Sequence, residues 1–211
     1  MAADFKLEIV SQGWLNGDQT GRYEDGSTDG CSHGSIYCEI GGVKITSDEP
    51  EYGTSQSALH LLRTLEEDRA NADRRDSLNR ERLPLDEGFL LCDGCGYPLS
   101  FGCTNFGTDW RVKHVRGEVI LYDPVLVDAG GEERPTIQVG IPMADYRKQI
   151  VQFATEARQF YRSFGPRPRE DWEENLHERF WAEFDERLAR AQGAVQPADV
   201  NDRDISGSTS P

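Results

Sequence analysis

The sequence predicts an α+β fold: an antiparallel β-sheet with one mid-chain helix and a C-terminal helical hairpin packed on one face. Three observations lead there. Short apolar alternations bounded by Gly, Asp and Ser recur through the N-terminal half and the middle of the chain, as in half-buried strands. The connections at Gly41-Gly42 and Arg116-Gly117 are short enough only for hairpins, which makes the strands they join antiparallel. Two long stretches of helical period then close the fold.

The elements follow in order. In "DFKLEIVSQGWL" Phe5, Leu7 and Ile9 share one face of a strand. Residues 16–34 are dense in Gly, Asp, Asn, Ser and Thr and read as a long turn-rich loop. "SIYCEIGGVKITS" reads as a hairpin in which Ile36 and Cys38 run out and Val43 and Ile45 return, with Cys38 packed as a small apolar thiol. After the acidic loop "SDEPEYGTS", Ala58, Leu61, Leu62 and Leu65 have helical spacing, with Thr54 or Ser55 placed to cap the N-terminus. Residues 68–87 mix both signs of charge and gather arginines, which predicts a frayed helix end followed by a solvated connector.

The middle block is β-rich. "GFLLCDG" reads as a buried strand ending in a turn, and "DWRVKHV" and "EVILYDPVLV" as a hairpin, with Trp110, Val112 and His114 on one face and Val119 and Leu121 on the face of the next strand. "GGEERPT" leads into the short strand "IQVGI". Pro142 then suits the first turn of a helix carrying Met143, Tyr146, Ile150, Phe153, Ala157, Phe160 and Phe164 at steps of three and four. "GPRPR" interrupts it, and a second helix from about Arg169 to Ala191 presents Trp172, Leu176, Phe180, Phe184 and Leu188, with acidic residues at its N-terminal end. Residues 1–191 are expected to form one domain, and 192–211 a disordered polar tail with too little apolar surface to repay ordering.

Charge is the strongest global property. The 211 residues include 38 acidic and 23 basic ones, a formal net charge of -15. Such a field repels nucleic-acid phosphates and anionic membranes and speeds encounter with basic partners, so direct nucleic-acid binding is not expected. No run reaches the ~18–20 apolar residues of a membrane span, and the opening residues lack the pattern of a secretion signal, which points to the cytoplasm. Five cysteines in a reducing compartment are expected to be free thiols or thiolates on a metal.

Cys92 and Cys95 have the two-residue gap of a zinc knuckle, and Cys103 and His114 are the nearest further donors in the chain. Their spacing matches no standard zinc ribbon, so reduced structural thiols are the leading reading and zinc held by Cys92, Cys95, Cys103 and His114 the alternative. A redox pair would need the Cys-x-x-Cys at a helix N-terminus, where a strand and Pro98 stand instead. Cys103, His114 and Asp109 can be named for nucleophilic catalysis, although any chain with five Cys and four His permits such a set, and Glu174 with His177 makes a single Glu-x-x-His where carboxylate metal centres use two. Neither phosphate-binding glycine signature occurs, and the acidic loops lack EF-hand order. A binding surface remains: Asp25, Asp29, Asp48, Glu49 and Glu51 in turn-rich loops, with Trp14, Tyr23 and Tyr52 near them as aromatic anchors.

"FGCTNFGTDWRVKHVRGEVIL", "VGIPMADYRKQIVQFATEARQFY" and "ERFWAEFDERLARA" resemble a group of uncharacterised small acidic proteins of actinobacterial type, similar to proposed immunity proteins of polymorphic toxin systems. The resemblance covers roughly residues 85–191 and rests on packing and turn patterns. It implies a non-enzymatic protein that binds and neutralises a toxin or another basic protein partner, without a cofactor. The alternative is a zinc-binding protein or zinc-dependent enzyme centred on Cys92 and Cys95. An acidic decoy imitating nucleic acid is a third reading.

Overall fold

The computed structural model describes residues 4–14, 32–48, 52–69, 89–92, 107–128, 130–163 and 171–193, with 171–177 and Asp128 described by their backbone. The fold is α+β, and the described strands all pair antiparallel and are distributed over three sheets. The first contains β1 (Phe5–Ile9), β4 (Ile36–Ile40) and β5 (Val43–Lys44), in the order β1-β4-β5. The second is small: β2 (Gly13–Trp14), β3 (Ser32–Gly34) and β6 (Tyr52–Gly53), in the order β2-β3-β6. The third follows the order β10-β9-β8-β7, from β7 (Leu91–Cys92), β8 (Gly107–Val115), β9 (Glu118–Asp128) and β10 (Gly131–Glu133), with β11 (Gln138–Pro142) also on β9.

Both hairpin turns have the backbone that their residues favour. Gly41 and Gly42 lie at φ 59° and 81°, and Arg116 and Gly117 at 43° and 89°, so each turn carries two consecutive positive φ values, the twist that suits a two-residue hairpin. Across β1 and β4, Phe5, Leu7 and Ile9 face Ile40, Cys38 and Ile36. Cys38 is fully buried there, as its alternation predicts, and burial pushes its thiol pKa well up. The outward side of β1 is closed by a helix, since the Leu7 N–H donates to Gln149 Oε1 at 3.3 Å.

Among the described residues three helices cover the sheets: α1 (Thr54–Arg63), α2 (Met143–Ser163) and α3 (Asp171–Gly193). Residues of β1, β4, β8 and β9 and of the three described helices form one apolar cluster, in which Phe5 meets Trp110 edge to face and packs against Tyr146. In α2 the predicted stripe is buried at Tyr146, Ile150, Phe153 and Ala157. In α3 Phe180, Phe184 and Leu188 are buried as the four-residue step implies, and Trp181 beside them carries the Arg158 guanidinium 4.0 Å above its ring.

Ion pairs fasten α3 to its neighbours. Arg63 of α1 grips Glu183 through two bonds of 2.8 Å, Arg187 joins Glu183 to Glu66, and Arg158 of α2 grips Asp185 at 2.7 and 2.6 Å. These arginines are therefore balanced within the helical layer.

Four boundaries differ from the sequence reading. The N-cap of α1 is Gly53 and no side chain caps it: Thr54 and Ser55 are inside the helix and spend their hydroxyls on Ser32 instead. Pro142 ends β11, paired with Glu118, one residue before α2; lacking an N–H, it suits a strand end as well as a first turn. Helix α3 runs through Gln192 to Gly193, two residues into the stretch read as tail. Asp68 and Arg69 are extended rather than helical, because Arg69 exchanges both backbone hydrogen bonds with Val112 at 2.8 and 3.0 Å. The remainder of the connector, 70–87, and the tail from 194 lie outside the described residues.

Candidate functional site

The second sheet is the mounting point for both acidic stretches of the N-terminal half. Trp14 pairs with Ser32, so residues 15–31 leave and return at one end of the β2-β3 ladder. Tyr52 pairs with Gly34 at the other end of the three-residue strand β3, so residues 49–51 enter there. At ~3.3 Å per residue along a strand and ~4.8 Å between strands, the attachment points Trp14 and Tyr52 lie about 12 Å apart. Residues 15–31 contain Asp18, Glu24, Asp25 and Asp29 against the single Arg22, and residues 49–51 add Glu49 and Glu51.

A buried knot of hydroxyls holds this sheet to α1. Ser32 Oγ lies 2.6 Å from Thr54 Oγ1 and 3.0 Å from Ser55 Oγ, and Gln12 Nε2 donates to Ser32 Oγ and Thr54 Oγ1 at 3.0 and 2.8 Å. Thr54 also donates to the Ser32 carbonyl at 3.1 Å. Satisfied polar groups in so dry a place fix one geometry, since any shift strands a donor. Gly34 is required by proximity: a Cβ there would fall 1.8 Å from the Ser11 carbonyl oxygen. Trp14 anchors the far end on α2, 5.2 Å from the ring of Phe160 and 5.9 Å from that of Tyr161.

The predicted contact residues separate on this scaffold. Trp14 is half-buried at the base of the 15–31 stretch. Asp48 is exposed and ion-paired with Lys44. Tyr52 is corrected from surface anchor to core residue: its side chain is 0% exposed, and its hydroxyl accepts the Ser47 N–H at 3.2 Å. An aromatic ring next to acidic residues in sequence can point inward when it sits on a strand, and this one does. Asp25, Asp29, Tyr23, Glu49 and Glu51 lie outside the described residues.

The four-ligand zinc set does not come together as written. Cys92 pairs with Gly107, and His114 is seven residues further along the same strand β8, about 23 Å away at ~3.3 Å per residue. One zinc ion holds its ligands at ~2.0–2.3 Å, so Cys92 and His114 cannot share it. The Cys92 thiol lies 3.9 Å from Ser57 Oγ, whereas His114 Nδ1 lies 2.9 Å from Asp68 Oδ1. Cys95 and Cys103 fall outside the described residues, in the stretch that the β7-β8 ladder closes. Of the catalytic trio, Asp109 is bound to Arg69 and His114 to Asp68, and Cys103 lies outside the described residues.

The sequence reading missed a buried polar cluster where α1, β7 and β8 meet. His60 Nδ1 donates to the Phe89 carbonyl at 2.7 Å, and burial lowers the imidazole pKa to about 3, which keeps the ring neutral. The Asp109 carboxylate accepts Arg69 Nε at 3.1 Å, the Leu90 N–H at 3.3 Å and the Trp110 N–H, at the point where the β8-β9 register shifts. Only the single acid of strand β8, beside the apolar Trp110 and Val112, signalled it; its partner stands forty residues earlier in the chain.

No protein-family model, no curated protein and no solved structure matches this chain.

Proposed function

We propose that the protein is a non-enzymatic acidic binding protein that captures a basic protein partner, in the manner of an immunity protein neutralising a basic toxin. The observation that supports this most is the shared mount: two acidic stretches are spliced into one small sheet, which hydroxyl bonds and Trp14 tie to the helices. A rigid base fixes where the two acidic stretches join the fold, and a negative field speeds the encounter with a cationic surface. Pairing of Arg63, Arg158 and Arg187 within the helical layer leaves those cations spoken for, which supports a net negative exterior elsewhere.

Neutralising Asp25, Asp29, Glu49 and Glu51 together to Asn and Gln is expected to slow association with a basic partner by about tenfold or more at low salt, with a smaller change in dissociation. The measurement is stopped-flow association against ionic strength, with a basic nuclease as the probe. An unchanged rate would mean that this mount is not the contact face.

Zinc remains the second reading, supported by the pairing of Cys92 with Gly107, which sets Cys92 at the start of the stretch of sequence that carries Cys95 and Cys103. It is expected to show as stoichiometric zinc that is lost with Cys92→Ser and retained with His114→Ala, because His114 is too distant to ligate. Elemental analysis of protein purified without added metal decides this.

A further inference from the structure

Strand β11 is an open margin of the third sheet. Its one pairing is with β9, from Gln138 opposite Tyr122 to Pro142 opposite Glu118. The hydrogen bonds at its two ends set which residues face β9: the Ile137 carbonyl accepts the Asp123 N–H at 3.3 Å, and the Met143 N–H donates to the Gly117 carbonyl at 2.9 Å. By the alternation of an antiparallel ladder, residues 137, 139, 141 and 143 bond inward, and the main-chain groups of Gln138, Gly140 and Pro142 point away from β9. These last three residues are exposed, and among the described residues no donor or acceptor meets their outward groups. No charge guards the edge either, since Gln138 to Pro142 is uncharged in a chain of net charge -15; only the missing N–H of Pro142 interrupts it. Beside the edge the core is incompletely covered: Ile137, Val139 and Met143 are half-buried at the rim of the apolar cluster, around the buried Ile141.

We propose that β11 pairs with β11 of a second copy of this chain, antiparallel about a two-fold axis through Gly140, so that two third sheets join into one. Three features of the strand point to its own copy as the occupant. The outward donors are self-complementary: Gly140 exchanges both hydrogen bonds with Gly140 of the second copy, and the Gln138 N–H reaches the carbonyl of Pro142, leaving the Gln138 carbonyl to water. The half-covered apolar residues are self-complementary as well. About the same axis Val139 stands opposite Ile141 and Ile137 opposite Met143, so each gains an apolar neighbour on the core side of the sheet. Finally, two strongly acidic molecules meet here along a strip that carries no charge. On the solvent side Gly140 adds no side chain, and the Glu118 carboxylate, 3.5 Å from where a Cβ of Gly140 would stand, flanks the axis in each copy and opposes approach when salt is low.

The test uses the whole chain, followed by sedimentation equilibrium and by amide hydrogen exchange of nitrogen-15-labelled protein. One strand pair covers less than the ~1,200–2,000 Å² of a stable interface, so a weak dimer is expected, with a dissociation constant on the order of 100 μM at about 0.5 M salt. Association is expected to be about tenfold weaker at about 0.05 M salt, where the two negative charges are screened less. As protein concentration rises through that range, the amides of Gln138 and Gly140 are expected to slow their exchange, while those of Val139 and Ile141, already bonded to β9, keep theirs. Gln138→Pro removes an outward donor at the first residue of the strand, where proline is tolerated, and is expected to weaken association tenfold or more at an unchanged urea midpoint. The exchange measurement needs no variant, so it decides even where Gln138→Pro fails to fold. A chain that stays monomeric to about 1 mM at about 0.5 M salt, a dimer in which Gln138 and Gly140 exchange as in the monomer, association that falls as salt rises, or undiminished association of folded Gln138→Pro would each overturn the proposal.

Discussion

Replacing Asp109 by alanine is expected to lower the unfolding free energy by about 3–5 kcal/mol, the usual cost of stranding one member of a buried ion pair. The carboxylate is one of the few buried charges in the described core, and it serves three donors from three segments: Arg69, Leu90 and Trp110. Burial is the dominant influence on it and raises its pKa, while the Arg69 charge pulls the other way. Alanine would leave the enclosed Arg69 guanidinium uncompensated and the Leu90 N–H without an acceptor. Asparagine keeps an acceptor for Leu90 and should cost less than alanine. Changing Asp109 to Leu and Arg69 to Met together should recover much of the loss, because neither charge then has to be held away from water. Urea unfolding followed by tryptophan fluorescence reads this as a lower midpoint at unchanged slope. A loss below about 1 kcal/mol for alanine would mean that the pair is solvated in solution.

Acid should weaken the fold through His60 before ordinary carboxylates begin to titrate. Its pKa is lowered to about 3, first by burial and then by the charges of Arg69 and Arg63, against the opposing bond to Phe89 and the charge of Glu183. In the unfolded chain the ring titrates near the usual ~6.5, so between these values unfolding takes up a proton, and this residue alone removes about 1.4 kcal/mol per pH unit as pH falls. Stability from His60 is thus complete above about pH 6.5 and lost progressively toward pH 3. Asp109 has the opposite sign: with its folded pKa raised, it stabilises as pH falls toward the ordinary carboxylate range, so it masks part of the His60 effect. Burial raises the Glu183 pKa, but Arg63 and Arg187 together bring it below its usual value, so Glu183 adds to the acid loss only at lower pH. Asparagine at 60 can still donate to the Phe89 carbonyl and does not titrate. His60→Asn in an Asp109→Asn background should therefore flatten the stability profile between pH 6.5 and 5 relative to Asp109→Asn alone. Parallel profiles for the two would remove the imidazole from the explanation.

Most of the architecture was legible because it rests on local rules. Gly41-Gly42 and Arg116-Gly117 announce their turns through backbone requirements, and the steps from Tyr146 to Ala157 and from Phe180 to Leu188 announce which helix face is buried. The start of α1 was not legible, since Thr54, Ser55, Gln56 and Ser57 are polar yet buried, and polarity alone reads as exposure. Their burial depends on Ser32 and Gln12, which only the folded chain brings near. Tyr52 misled for a related reason: neighbours in sequence gave it an acidic setting, while strand pairing turned its ring inward. The strap at Asp68 and Arg69 looked like a fraying helix because its partner, Val112, belongs to a different stretch of sequence. What the sequence conceals throughout is the pairing of polar groups across long separations.

The bond from Leu7 to Gln149 sets a schedule for the growing chain. Strand β1 leaves the ribosome well ahead of the helix residue that closes its outer side, 142 positions later. At the ~5–20 residues per second of synthesis, that strand waits on the order of ten seconds or more with one margin uncovered. During that interval a nascent neighbour or a chaperone has access to a border that the finished molecule never displays.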